Sequence, residues 1–195
     1  MPDQNPLAAM LAARSARRGH FILASGRQST LYVDARLTTM SPDGLALIGP
    51  LAHRVLLDSS WEVVSVGGLT LGADPISYAI AFASAGTATP LRAFSVRKEA
   101  KLHGTGKLIE GPLQKGDRVA VIEDVITTGG SALRAVEAIR AGGGLVIGVL
   151  ALVDREEGGR EAILSHDIPV ISLVTATQIL SYLSDEHVLP TPRDS

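Results

Sequence analysis

Apolar runs recur along this chain and alternate with stretches whose apolar residues repeat at helical spacing, which predicts strands joined by helices. The runs at 61–66, 91–96, 118–122, 145–153 and 170–174 consist mainly of Val, Ile, Leu and Ala, as in strands buried on both faces. Helices are predicted at 7–18, where Leu7 and Leu11 lie one turn apart and Gly19 supplies the stop, and at 41–57, 74–81, 131–140 and 175–183. Ser41-Pro42-Asp43 suits a helix start: Ser accepts an orphan amide, Pro fits the first turn and Asp favours the positive end. Pro50 is then expected to bend or interrupt the helix that follows. Gly67-Gly68 is expected to stop the strand before it, and Gly142-Gly143-Gly144 to end the 131–140 helix. Residues 21–37 mix alternating apolar positions with Ser25-Gly26 and Leu31-Tyr32-Val33, predicting one or two short irregular strands. This alternation implies right-handed parallel crossovers, so the fold class is α/β, an open, mainly parallel twisted sheet flanked by helices. In such a sheet the site lies where loops leave the carboxyl ends of the strands, here the regions of Gly67, Glu123 and Asp154.

Composition narrows the class. The 195 residues suffice for one substantial core with a small appended flap. A hydrophobic fraction of 46% with only 4% aromatics makes that core aliphatic, as helices packed on a parallel sheet require. The net charge of -2 gives no overall attraction to nucleic acid or anionic membrane, so any polyanion must be bound locally. Without cysteine there is no disulfide, thiolate metal site or cysteine nucleophile, which is compatible with a reducing cytoplasm. Residues 1–19 carry their basic side chains after the apolar part, unlike a signal peptide, and no apolar stretch reaches membrane-spanning length.

The segment 119–131 carries the most chemistry. An apolar run ends in Glu123 and Asp124, passes through Val125, Ile126, Thr127, Thr128, Gly129 and Gly130, and enters a helix at Ser131. That order puts carboxylates at a strand mouth and free backbone N–H groups just beyond, where a phosphate can sit. Two carboxylates beside a diphosphate would repel it unless hydroxyls or a divalent ion intervened, which argues for a sugar phosphate accompanied by Mg²⁺. A solvated strand-to-helix turn is the plain alternative. Neither a Rossmann fingerprint nor a Walker A loop fits, because the glycine spacings are wrong. The 97–116 segment is a long loop with Arg97, Lys98, Lys101 and His103 among glycines; it reads as a cover that orders over an anion, or as a charged surface loop.

Taken together, these motifs resemble the orotate phosphoribosyltransferases, a branch of the type I phosphoribosyltransferases. The 121–131 segment is similar to the motif that binds 5-phosphoribosyl 1-diphosphate (PRPP), and Arg97-Lys98-Glu99-Ala100-Lys101-Leu102-His103-Gly104 to the mobile-loop signature of the orotate branch. The 67–75 segment resembles one branch's diphosphate loop, and 21–34 the base-side N-terminal hood; the likeness spans about 19–175. It implies an N-terminal helix and hood over 1–40, a catalytic core over 41–175, and a C-terminal helix and tail over 176–195 packing near the hood.

The implied reaction moves ribose 5-phosphate from PRPP to N1 of orotate in de novo pyrimidine (UMP) biosynthesis, forming orotidine 5′-monophosphate and diphosphate. Lys101, Glu123 and Asp124 would be catalytic. PRPP would be held by Arg97, Lys98, Lys101, His103 and the whole of Glu123 to Ser131; orotate by Ser25, Tyr32, Val33, Thr127 and Arg155. Arg155 could instead form a strand-end salt bridge with its acidic neighbours, and Tyr32 could simply fill a hydrophobic seam. No direct metal ligand is implied: Mg²⁺ arrives on PRPP, with Glu123 and Asp124 nearby. The resemblance also implies a cytoplasmic homodimer that shares the basic loop across its interface and engages neither nucleic acid nor membrane. Two departures remove cations found in many bacterial relatives, at Ala24 and at Thr70-Leu71. A purine-base phosphoribosyltransferase and a non-catalytic PRPP-sensing regulator are the competing functions.

Overall fold

Asn5 opens the described structure, its side-chain oxygen accepting the amides of Leu7 and Ala8 and so starting α1 (Pro6–Arg14). The computed structural model describes residues 5–22, 28–99 and 108–183. The first helix is shorter than its sequence predicts. From Ala16 the chain is β1 (Ala16–Ile22), which pairs antiparallel with β2 (Gln28–Val33), and cross-strand hydrogen bonding overrides the helical pattern of residues 16–18. A register shift between Arg18 and Phe21 bends this two-stranded hood. One turn of helix, α2 (Arg36–Thr39), leads to α3 (Pro42–Asp58), where Ser41 caps the amide of Gly44 as expected. Pro50 does not interrupt α3; it lies on the exposed side, while Ile48, Ala52 and Leu56 keep the buried stripe in phase.

The main sheet begins with β3 (Ser65–Leu69). Trp61 to Val64 is not strand, and Gly67 and Gly68 lie inside β3 rather than ending it. The reason is steric: a Cβ on Gly67 would stand 2.4 Å from the Phe94 carbonyl oxygen and one on Gly68 2.0 Å from that of Ile122, so the neighbouring strands approach only because both are glycine. After α4 (Ala73–Ser84) come β4 (Arg92–Val96) and the short β5 (Ile109–Glu110), which lies within the predicted long loop. Then follow β6 (Arg118–Ile126), α5 (Gly130–Ala141), β7 (Leu145–Asp154), α6 (Gly159–Leu164), β8 (Val170–Thr175) and α7 (Ala176–Leu180). The order across the sheet is β5-β4-β3-β6-β7-β8, parallel except for β5.

Alternating side chains build a core on each face. Ala120 and Ile122 of β6 with Leu150 and Leu152 of β7 pack toward the side that includes α1, α3, α4 and α7; Val119, Val121, Val149 and Ala151 face α5 and α6. The hood joins the first core through Leu31, and the Tyr182 hydroxyl accepts the amide of Asn5, tying α1 to the segment after α7. No described helix is long and apolar enough to cross a membrane.

Candidate active site

β6 runs four residues further than its apolar pattern suggests, and its register with β7 continues to Ile126 opposite Asp154. Glu123 and Asp124 therefore sit within the strand, and the pleat turns them to opposite faces. Glu123 is only 8% exposed, and its Oε2 has no hydrogen-bond partner. Burial pushes its carboxyl well above the ordinary carboxylate range, the adjacent Asp124 adds to this, and Arg134 and Lys98 pull the other way without cancelling it. Asp124 accepts the amide of Val125 at 2.9 Å and abuts Gly72 in the loop after β3, where a Cβ would stand 2.5 Å from its carboxyl carbon. The Thr70–Leu71 peptide bond in that loop is cis.

Beyond Ile126 the chain turns through Thr127, Thr128 and Gly129 into α5. Gly129 adopts the left-handed conformation (φ 81°), and no side chain caps the helix start. The first amides of α5 are thus free to bind an anion, with the helix dipole behind them. Glu123, Thr127, Thr128, Gly130 and Ser131 border a concavity of about 30 Å³ there. Gly159 at the start of α6 supports the turn from below: a Cβ on it would lie 2.4 Å from the Thr127 carbonyl oxygen and 2.8 Å from the Gly129 nitrogen.

Arg97 leaves β4 and donates its amide to the Leu108 carbonyl (2.8 Å), extending the antiparallel hairpin of β4 and β5. Its Nη1 lies 3.4 Å from Glu110 Oε1, and its Nε is buried without a partner. Arg97, Lys98 and Arg134 share the border of a cavity of about 340 Å³ between the hairpin and α5. Ser25, Lys101 and His103, and the departure at Ala24, lie outside the described residues.

On the base side, Tyr32 is half-exposed and packs on Phe21 with the rings tilted and their centroids 5.5 Å apart, while Val33 packs against the first core. Arg155 follows β7 and is buried. Its Nη2 donates to Ser29 Oγ (2.7 Å), to Glu157 Oε1 (2.8 Å) and to the Leu31 carbonyl. Burial lowers its pKa, and Glu157 works against that shift. The strand-end salt bridge anticipated as an alternative is therefore present, and the bonds from Arg155 to Ser29 and Leu31 fasten the hood to the core. Among the described residues no group of three or more His, Asp or Glu side chains is placed to hold a metal.

No family model matches the chain. Orotate phosphoribosyltransferase from Aquifex aeolicus (strain VF5) is 48% identical over 183 residues, spanning 92% of this chain and 99% of that protein. The chain belongs to the orotate phosphoribosyltransferase family. The fold agrees: the crystal structure of the Mycobacterium tuberculosis H37Rv orotate phosphoribosyltransferase in complex with Fe(III) dicitrate superposes with a TM-score of 0.77 at 43% identity, covering 89% of this chain and 97% of that one. The same enzyme in complex with PRPP gives 0.74 at 41% identity, covering 89% and 96%.

Three residues of this member of the orotate phosphoribosyltransferase family went unread in its sequence. Arg134 donates to Ser131 Oγ at 3.3 Å, one turn into α5, and its spacing from Ser131 could have marked it. Arg36, paired with Asp34, also feels Asp124, a proximity that only the hood's docking creates. Gly159 acts through a long-range contact that no local pattern signals, and the same holds for the bond of Ser29 to Glu157, an acid otherwise expected as a neighbour of Arg155.

Proposed function

We propose that this protein is an orotate phosphoribosyltransferase, transferring ribose 5-phosphate from PRPP to N1 of orotate in UMP biosynthesis. The observation that carries the reading is the end of β6, where two carboxylates stand beside an uncapped helix start and a left-handed glycine turn, in a chain of this family. The amides and hydroxyls of Thr127 to Ser131 bind the 5-phosphate, assisted by the α5 dipole. Glu123 and Asp124 accept the ribose hydroxyls and, as positive charge grows on C1′ and the ring oxygen, stabilise it electrostatically. Arg97 and Lys98, with Lys101 and His103, neutralise the departing diphosphate. Orotate sits under the hood against Tyr32, Val33, Thr127, Ser25 and Arg155, and attacks as an anion, so no protein nucleophile is needed.

The site also suits Mg²⁺ carried by PRPP. Glu123 offers an unpartnered carboxylate oxygen at the border of the phosphate concavity, and Asp124 lies beside the loop after β3. Bound beside Glu123 and Asp124, the ion would supply positive charge that offsets the repulsion between the diphosphate and these acids. The working unit in this reading is a cytoplasmic homodimer with a shared basic loop. Its interface falls on the α3–α4 face, where Met40, Tyr78 and Phe82 expose apolar surface, Phe82 to 85%.

The test is release of diphosphate from PRPP with a panel of bases, with and without Mg²⁺. Orotate alone should support turnover, and only with the metal. Turnover with adenine, guanine, hypoxanthine or xanthine but not orotate would replace this reading with a purine one.

A further inference from the structure

We propose that Glu157 is a resident carboxylate that holds Arg155 in the substrate-free protein and yields its place to the carboxylate of orotate. This rests on the base-binding role given to Arg155 above and assigns Glu157 a part in setting orotate affinity.

The geometry around Arg155 is lopsided. Its Nη2 carries two hydrogens but faces three acceptors, Ser29 Oγ at 2.7 Å, Glu157 Oε1 at 2.8 Å and the Leu31 carbonyl. Its Nε, on the same edge of the guanidinium, is buried and has no partner. Nη2 is oversubscribed while Nε is unused. A guanidinium binds a carboxylate best when two parallel N–H groups meet its two oxygens. Glu157 reaches only one of them. A planar carboxylate lying along this edge takes the place of Glu157 at Nη2 and also engages Nε, so it satisfies the orphan donor that Glu157 leaves unused.

The neighbours permit the exchange. The Arg155 side chain is 4% exposed, whereas that of Glu157 is 19% exposed, so the acid can turn to water while the base stays fixed by Leu31 and Ser29. A buried guanidinium left bare would be costly, which accounts for an acid two residues away that covers it before substrate arrives. Ser29 Oγ lies 3.1 Å from Glu157 Oε1 and is also within reach of Arg155, so the hood strand β2 senses which carboxylate occupies the guanidinium. The cost of displacing Glu157 falls on every orotate that binds, and only on ligands bearing a carboxylate.

Glu157→Gln keeps the shape and removes the competing charge. The orotate KM should fall about five- to tenfold, with kcat and the PRPP KM within about twofold of the unsubstituted protein. Inhibition by uracil, the same ring without the carboxylate, should not change. A simple structural role predicts the opposite pattern, a loss of kcat or of thermal stability with an unchanged or raised orotate KM, and that result overturns the inference. If neither Glu157→Gln nor Glu157→Ala can be recovered folded, Glu157 is a structural counter-ion and the inference again fails. Failure of the unsubstituted protein to use orotate overturns the functional reading itself, and the exchange with it.

Discussion

A single carboxyl group sets the pH response expected at the phosphate site. Glu123 is buried in β6 with one oxygen unpartnered, and burial first, then Asp124, raises its pKa. Without substrate, the folded protein therefore keeps a proton on Glu123 to higher pH than the unfolded chain, whose ordinary value is 4.5, whereas the ribose hydroxyls and Mg²⁺ proposed above would favour the ionised form. Because the native state binds more protons, stability contributed by the neutral acid is present below that value and declines as pH climbs toward the raised pKa. Glu123→Gln mimics the neutral acid at every pH. In the absence of substrate it should melt at the same temperature as the unsubstituted protein near pH 4.5, and higher by on the order of a few degrees in neutral buffer. Parallel melting curves with no pH-dependent gap would show that Glu123 ionises freely. At this scale the sequence made the acid pair and the Thr/Gly turn legible, because adjacency along a strand is local information. It could not reveal that Glu123 faces inward without a partner, since that depends on what α5 brings over it.

At the scale of elements, the opposite end of the sheet depends on one acid just before β6. Asp117 accepts from Ser65 Oγ on β3 at 2.7 Å, from Arg92 Nη2 on β4 at 2.5 Å and from the Gln114 amide at 2.9 Å. Three strands thus start from one carboxylate. Burial alone would raise its pKa, but Arg92, Gln114 and Ser65 outweigh that and hold it below the usual value. A lowered carboxylate pKa contributes stability that is complete above the unfolded value, near 3.9, and is lost as pH falls through the folded one. Asp117→Asn should cost about 2 kcal/mol at neutral pH, discounted from a fully buried pair because Arg92 is partly exposed. Urea midpoints should show that deficit undiminished above about pH 5 and shrinking below about pH 4. A deficit that stays constant into acid would mean that charge is not its source. The strands themselves were legible from their aliphatic runs, but their ends were not. β3 runs on through two glycines and β6 through two acids, because close packing against Phe94 and pairing with β7 outweigh local propensity. The start of β1 was hidden for the same reason: residues 16–18 look helical until β2 is there to pair with them.

The whole molecule raises a question of completeness. The described residues gather the phosphate turn, the acid pair and Arg155 at the carboxyl ends of β6 and β7, while the basic segment leaves β4 on the far side of β3. In the dimer proposed above, Lys98 stays near its own Glu123 while Lys101 and His103 would serve the partner's acid pair, and the α3–α4 face would bring the two copies together. Phe82 is the sharpest probe of that face, being 85% exposed and apolar. Phe82→Asp should shift the protein to monomer by sedimentation and reduce turnover together with the dimer fraction, since a twofold interface meets each substitution twice. Loop sharing is tested separately by mixing two inactive proteins, Lys101→Ala and Glu123→Gln/Asp124→Asn. In a mixed dimer one site receives both defects and the other neither. If subunits exchange at random, half the dimers are mixed and half of their sites are intact, so about one quarter of full activity should return. Loops acting within their own subunit would leave every site defective and the mixture dead. Recovery in the mixture, absent when Phe82→Asp is added to both partners, would tie the shared site to this face of the molecule.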